Sequence, residues 1–312
     1  MKLPFFKSKK RKELEPTAPA APAADIALRS EPAPPLPASD KPRKLPAEHV
    51  VDSFGYALAA VPSLGPTSKA WRKLGFEVSA PYEWLGCQAA HIDLGGGGVR
   101  FLAAADSGAE PTALVELVRA RLVVGSGLFG WTWACADPHR SALAVAQLAE
   151  SDFHEGCEAW GEPLVQIPME LTPAAATWLE KQTPPPVPKH ANCAIRLDHL
   201  VLNVSASKAV SQTYERHFGL RSRTAAMNDR YYAFLKIGPS LLEVVGPAKP
   251  GAGAVSGGPW GLAFGSSDLD ATIAYLQKAG VECKPGQRAV QGGRIAGIPI
   301  AIGGINLAFM GD

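Results

Sequence analysis

The order of apolar strands and glycine-closed helices in the first half of the chain recurs in the second, and a repeat of this period decides the kind of fold before any single residue is weighed. Phe54-Gly55-Tyr56-Ala57-Leu58-Ala59-Ala60-Val61 leads into a helical stretch ending Leu74-Gly75-Phe76, then into Ala90-His91-Ile92-Asp93-Leu94 and Val99-Arg100-Phe101-Leu102. Leu197-Asp198-His199-Leu200-Val201-Leu202-Asn203-Val204 leads into a helix ending Phe218-Gly219-Leu220, then into Ala233-Phe234-Leu235-Lys236-Ile237 and Leu241-Leu242-Glu243-Val244-Val245. In both, the glycine supplies the left-handed residue that ends a helix. Two weaker copies follow. One is Gly130 to Asp137 before a helix starting near Pro138; the other is Gly261 to Asp268 before the helix Leu269 to Ala279, capped by Ser267 or Asp268 and closed by Gly280. Four strand-first units at a spacing of about seventy residues predict an α+β fold of tandem βαβββ units. The turns at Gly95 to Gly98, Gly238-Pro239 and Gly303-Gly304 fall between strands and read as hairpins; none opens a helix, so none reads as a phosphate loop.

The repeats do not reach the N-terminus. Residues 1–48 read as a disordered Pro/Ala-rich basic tail, with a run of cations at Lys7 to Lys12. The proline run Thr183 to Pro188 marks a linker over residues 183–194, dividing a first domain, 49–182, from a second, 195–312. The whole chain has a net charge of only +2, and much of the basic excess sits in that tail, so nucleic acid is not implied as a partner. Five cysteines at irregular spacings, without a CxxC pair, suit a reducing, cytoplasmic setting. No apolar run is long enough for a transmembrane segment, and Leu3 to Phe6 is too short for a secretory core.

The segment from Leu197 to Val204, its helix into His217-Phe218-Gly219-Leu220, and Leu241 to Val245 resemble the first βαβββ unit of a vicinal oxygen chelate (glyoxalase/bleomycin resistance/extradiol dioxygenase) module. Gly261 to Asp268, the following helix and the terminal Ile305 to Met310 strand resemble its partner unit, while residues 49–182 resemble a degenerate copy. The resemblance implies glyoxalase-like open barrels around a small-molecule ligand, with a divalent metal (Zn, Ni, Mn or Fe) held from the first and last strands of each unit. Side chains facing inward from curved strands converge on one point, which is why those positions suit ligands. It makes His199 and Glu243 metal ligands and Glu243 the catalytic carboxylate. Leu262 and Ala308 stand where the partner unit's ligands belong, and Tyr56 and Arg100 take the two positions in the first domain.

The residues themselves leave these roles open. His199 reads equally as a packed histidine, and Glu243 shares a strand face with Leu241 and Val245 that is either inward or solvated. Arg230 and Tyr232 can line a pocket or form a strand edge; Arg288 and Arg294, in the Gly-rich stretch Pro285 to Gly297, can clamp an anionic group or stay solvated. Trp131 and Trp133 share a strand face and wall either a cavity or a core. Two functions from different classes follow. One is a metal-dependent lyase, isomerase or dioxygenase; the other is a non-catalytic module that binds a ligand or a partner without metal. A homodimer in which two copies of the third unit pair would supply two His and two Glu.

Overall fold

The computed structural model describes residues 50–95, 97–105, 112–150, 164–169, 171–181, 187–249, 254–289 and 292–312. The expected tail, residues 1–48, lies outside them. Each unit opens on an apolar strand: β1 (Ser53–Ala60) is followed by helix α1 (Leu64–Lys73) and strands β2 (Tyr82–Trp84), β3 (Cys87–Leu94) and β4 (Gly97–Ala104). Helix α2 (Ala113–Val124) intervenes before the second unit, which comprises β5 (Gly127–Cys135), α3 (Pro138–Ala149), β6 (Leu164–Ile167) and β7 (Ala176–Lys181). The third unit is β8 (Ala194–Val204), α4 (Ser207–Phe218), β9 (Ser222–Met227), β10 (Arg230–Ile237) and β11 (Ser240–Pro247). The fourth is β12 (Gly257–Ser266), α5 (Leu269–Lys278), β13 (Gln287–Arg288), β14 (Arg294–Ile302) and β15 (Ile305–Gly311).

The units pair into two curled half-barrel sheets, β2-β3-β4-β1-β5-β7-β6 and β13-β14-β15-β12-β8-β11-β10-β9. In each, the opening strands run antiparallel at the centre and each is flanked by its own unit's last strand in parallel. Helix ends follow the local chemistry. Gly219 takes φ +63° at the end of α4 and Gly75 φ +92° just past α1, where a side chain would be strained. Asp137 and Asp268 cap α3 and α5 by accepting from Arg140 N (3.0 Å) and Ala271 N (2.9 Å).

One core joins the sheets. Trp71 of α1 meets Phe101 of the first sheet (5.0 Å between ring centres) and Phe264 of the second (6.0 Å). Trp131 and Trp133 point into this same core, where Trp133 lies 4.8 Å from Phe218 of α4, so neither walls a cavity. The expected linker is also partly fixed. His190 Nδ1 accepts from Glu77 N at 3.0 Å, and Asn192 Nδ2 donates to Leu74 O at 2.9 Å, which ties the entry to β8 onto the first sheet.

The opposite, concave faces differ. On the first sheet α2 lays Leu114, Val115 and Val118 against Leu58, Ala60, Leu102 and Trp178, filling the hollow with apolar side chains. Thr112 caps that helix by accepting from Val115 N at 3.3 Å. Among the described residues the second sheet carries no counterpart of α2 between its units, and its concave face borders a cavity.

Candidate functional site

The cavity on the second sheet has a volume of about 460 Å³, within the range of small-molecule sites. Val201, Val245, Ile295 and Ile298 give it apolar walls, and Trp260 and Tyr232 add aromatic ones. His199, Glu243, Arg230, Asn203 and Asn306 bring polar groups to it. Of the residues singled out in the sequence, the fold therefore brings His199, Glu243, Arg230 and Tyr232 together.

Arg288 and Arg294 are not among its lining residues; of the two readings the sequence leaves for them, their placement is that of solvated residues. Arg294 is held by both oxygens of Asp270 on the surface, at 3.1 and 2.7 Å, and Arg288 is exposed on the short edge strand β13. The neighbouring Ala289 is what turns inward, packing with Ala263 and Met310.

A β-bulge prepares the floor of the cavity. Leu197 pairs with Phe264 and His199 with Ala263, so β8 carries Asp198 as an extra residue. Without it, Asp198 and His199 would point to opposite faces; bulges recur beside sites because they re-aim side chains in this way. Asp198 Oδ1 lies 2.6 Å from His199 Nδ1, and Arg196 grips the other oxygen through Nε at 2.9 Å and Nη2 at 2.5 Å. His199 is 1% exposed, and its Nε2 has no hydrogen-bond partner. Burial works to raise the Asp198 carboxyl, yet His199 and Arg196 outweigh it and hold it below the ordinary aspartate range. Burial pushes Glu243 above the ordinary glutamate range, and the nearby His199 and Arg230 recover only part of that shift. At the rim, Arg230 Nη2 donates to Asn203 Oδ1 at 3.0 Å.

The repeat identifies the equivalent positions in the other units. Tyr56 and His199 each stand two residues before the partner of the last-strand residue: Leu58 pairs with Arg100, and Val201 with Glu243. In the second and fourth units, Thr132 and Ala263 lie opposite the bulges and stand two residues before Ala134, which pairs with Glu180, and Gly265, which pairs with Met310. The fourth-unit positions are therefore Ala263 and Met310 rather than Leu262 and Ala308. Leu262 packs into the inter-sheet core. No feature of the sequence marks the extra bulge residue that shifts the alignment.

In the first sheet this quartet closes on itself. The Arg100 guanidinium is stacked over Tyr56 (4.0 Å) and Trp84 (4.1 Å), approaches Glu180 at 3.5 Å and donates to Tyr82 at 3.1 Å. Thr132 donates to Glu180 at 2.9 Å. A guanidinium thus stands at the point of convergence, where a metal would need the space. In the second sheet the quartet is His199, Glu243, Ala263 and Met310. It offers one nitrogen and one carboxylate, fewer than the three protein ligands of a catalytic zinc or a facial iron site. Among the described residues, no group of three or more His, Cys, Asp or Glu is placed to hold a metal. The residues present do not fit such a site. Within the chain, β8 has β11 on one side and β12 on the other.

Curled sheets of paired βαβββ units, with a ligand-sized hollow on the concave face, define a vicinal oxygen chelate architecture. Residues 196–300 match the model of the Glyoxalase/Bleomycin resistance protein/Dioxygenase superfamily, and that module is a glyoxalase-like domain of it. Among solved structures, a triple mutant of 4-hydroxymandelate synthase from Streptomyces coelicolor is similar at 17% identity, with a TM-score of 0.58 over 83% of this chain and 92% of that one. A xylose isomerase-like TIM barrel/4-hydroxyphenylpyruvate dioxygenase fusion protein is similar at 14% identity, with a TM-score of 0.58 over 85% of this chain; the match spans 49% of the fusion protein. At these identities the likeness shows the fold alone. No curated protein matches the chain in sequence. No helix among the described residues is long and apolar enough to cross a membrane.

Proposed function

We propose that the protein binds a small, largely apolar organic ligand in the cavity of its C-terminal module, and that it does so without a metal. The observation that carries this reading is the quartet. His199 and Glu243 face a hollow of about 460 Å³ whose two other convergent positions are Ala263 and Met310. The walls supply apolar contact, and His199 supplies hydrogen-bonding capacity that the protein leaves unfilled. Within the quartet, a zinc, nickel, manganese or iron ion would find only His199 and Glu243 as donors. The first module serves as scaffold in this reading, since α2 and Arg100 occupy its hollow.

A second reading, an acid–base lyase or isomerase, draws on one further observation: burial favours the protonated form of Glu243, in the same cavity as an imidazole whose Nε2 is unfilled. Glu243 would then be the catalytic group, with Arg230 and Tyr232 contacting substrate. The family's dioxygenase chemistry has less support, because the quartet is short of donors.

The test joins elemental analysis with a titration. Purified protein is expected to carry no stoichiometric Mn, Fe, Co, Ni or Zn. Octan-1-ol and 4-ethylphenol are expected to change the fluorescence of Trp260, which is 48% exposed at the cavity, in a saturable way that Val245→Trp abolishes by filling the hollow. One metal per chain, lost in His199→Ala, would replace the metal-free reading with the enzyme of the family pattern.

A further inference from the structure

Behind His199 lies a second cavity of about 520 Å³, and its chemistry is the reverse of the first. Asp198, Asp268 and Asp312 face it together with the hydroxyl-bearing Ser266 and Ser267. Its one cation among the lining residues, Arg196, is already bound by Asp198. His199 and Met310 border both cavities. His199 is 1% exposed; its Nδ1 lies 2.6 Å from Asp198 while its Nε2 lacks a hydrogen-bond partner, so a buried polar group with unused capacity borders both chambers. Met310 forms the other side. An unbranched thioether adapts its shape more readily than any branched side chain, which suits a passage between chambers.

We infer that the two cavities are one bipartite site for an amphipathic cation, with its apolar body in the first chamber, its ammonium in the second, and its chain passing between His199 and Met310. This rests on the ligand-binding reading above and names the ligand class. Three carboxylates against one guanidinium give the second chamber a negative field, which attracts an ammonium and repels a carboxylate. The N-terminus of α5, which would otherwise favour an anion, is already taken by the Asp268 carboxylate accepting from Ala271 N. The apolar walls of the first chamber hold a hydrocarbon body, and its two charged lining groups, Glu243 and Arg230, are of opposite sign, so it lacks the net negative lining of the second.

Three probes with the same eight-carbon chain separate the parts: octan-1-ol, octylamine and octanoate, each titrated calorimetrically into the full chain. Octylamine is expected to bind about tenfold more tightly than octan-1-ol, and octanoate more weakly than either. Asp268→Asn removes a charge while keeping a good helix cap, so the fold is retained; it should reduce octylamine affinity about threefold and leave octan-1-ol unchanged. Met310→Trp should bring octylamine down to the affinity of the alcohol by closing the passage. Equal binding of amine and alcohol to the unsubstituted chain, or tighter binding of octanoate, overturns the second chamber while leaving the first in place. Failure of all three to bind overturns both readings.

Discussion

At the scale of single residues, the site is governed by how two carboxyls are desolvated. Burial raises Glu243, so the folded state holds its proton more firmly than the unfolded chain does. Its contribution to stability is therefore fully present below the ordinary glutamate range and lost as pH rises through the raised value. Asp198 works in the opposite sense. His199 and Arg196 outweigh its burial and lower it, so its contribution is present above the ordinary aspartate range and lost as pH falls through the lowered value. Urea denaturation from pH 3 to 8 checks both. The stability of the natural chain relative to Glu243→Gln should fall with rising pH, and relative to Asp198→Asn it should rise, each by at most about 1.4 kcal/mol per pH unit. Parallel profiles for the natural chain and Glu243→Gln would mean that Glu243 is solvated. Strand alternation alone could place Glu243 with Leu241 and Val245 but could not choose their face. That choice depends on β8 and β10 flanking β11, a contact made across the fold.

At the scale of elements, register decides which side chains converge, and it carries a test of the quartet. If Ala263 and Met310 are the equivalents of Thr132 and Glu180, the double substitution Ala263→His with Met310→Glu restores two imidazoles and two carboxylates around one point. That variant should retain about one zinc per chain after dialysis, whereas the pair Leu262→His with Ala308→Glu should not, because Leu262 packs into the core. Zinc retained only by the second pair would move the equivalent positions by one residue on β12 and by two on β15. The repeated order of elements, the glycine ends of α1 and α4, and the Asp268 cap were all legible in the sequence, because each rests on local backbone chemistry. Helix α2 was not anticipated, although Thr112 before Ala113–Val124 is a capping signal. It lies between two units, so a repeat does not reveal it, yet it is the element that fills one hollow and leaves the other as the ligand site.

For the whole molecule, the tryptophans and helices make one hydrophobic body of two modules. Proline composition suggested a division near residue 183, but the aromatic contacts across the sheets could not be inferred from composition. Trp133 of β5 packs on Phe218 of α4, Trp71 of α1 on Phe264 of β12, and Asn192 ties the strand entry of one module to the helix end of the other. Large apolar surfaces shared in this way couple the stabilities of the two halves. Trp133 is fully buried, and replacing it by alanine removes contacts on both sides of the shared layer. Trp133→Ala is expected to cost about 3–5 kcal/mol. The loss should appear in a single transition, with far-UV circular dichroism and the fluorescence of the remaining tryptophans moving together to lower urea. Two separated transitions, with only the first module shifted, would show that each sheet is stable by itself. The shared layer would then have no part in holding His199 and Glu243 at the cavity. A single transition would mean that the filled module supports the shape of the open one, and that damage far from the cavity weakens ligand binding in proportion to lost stability.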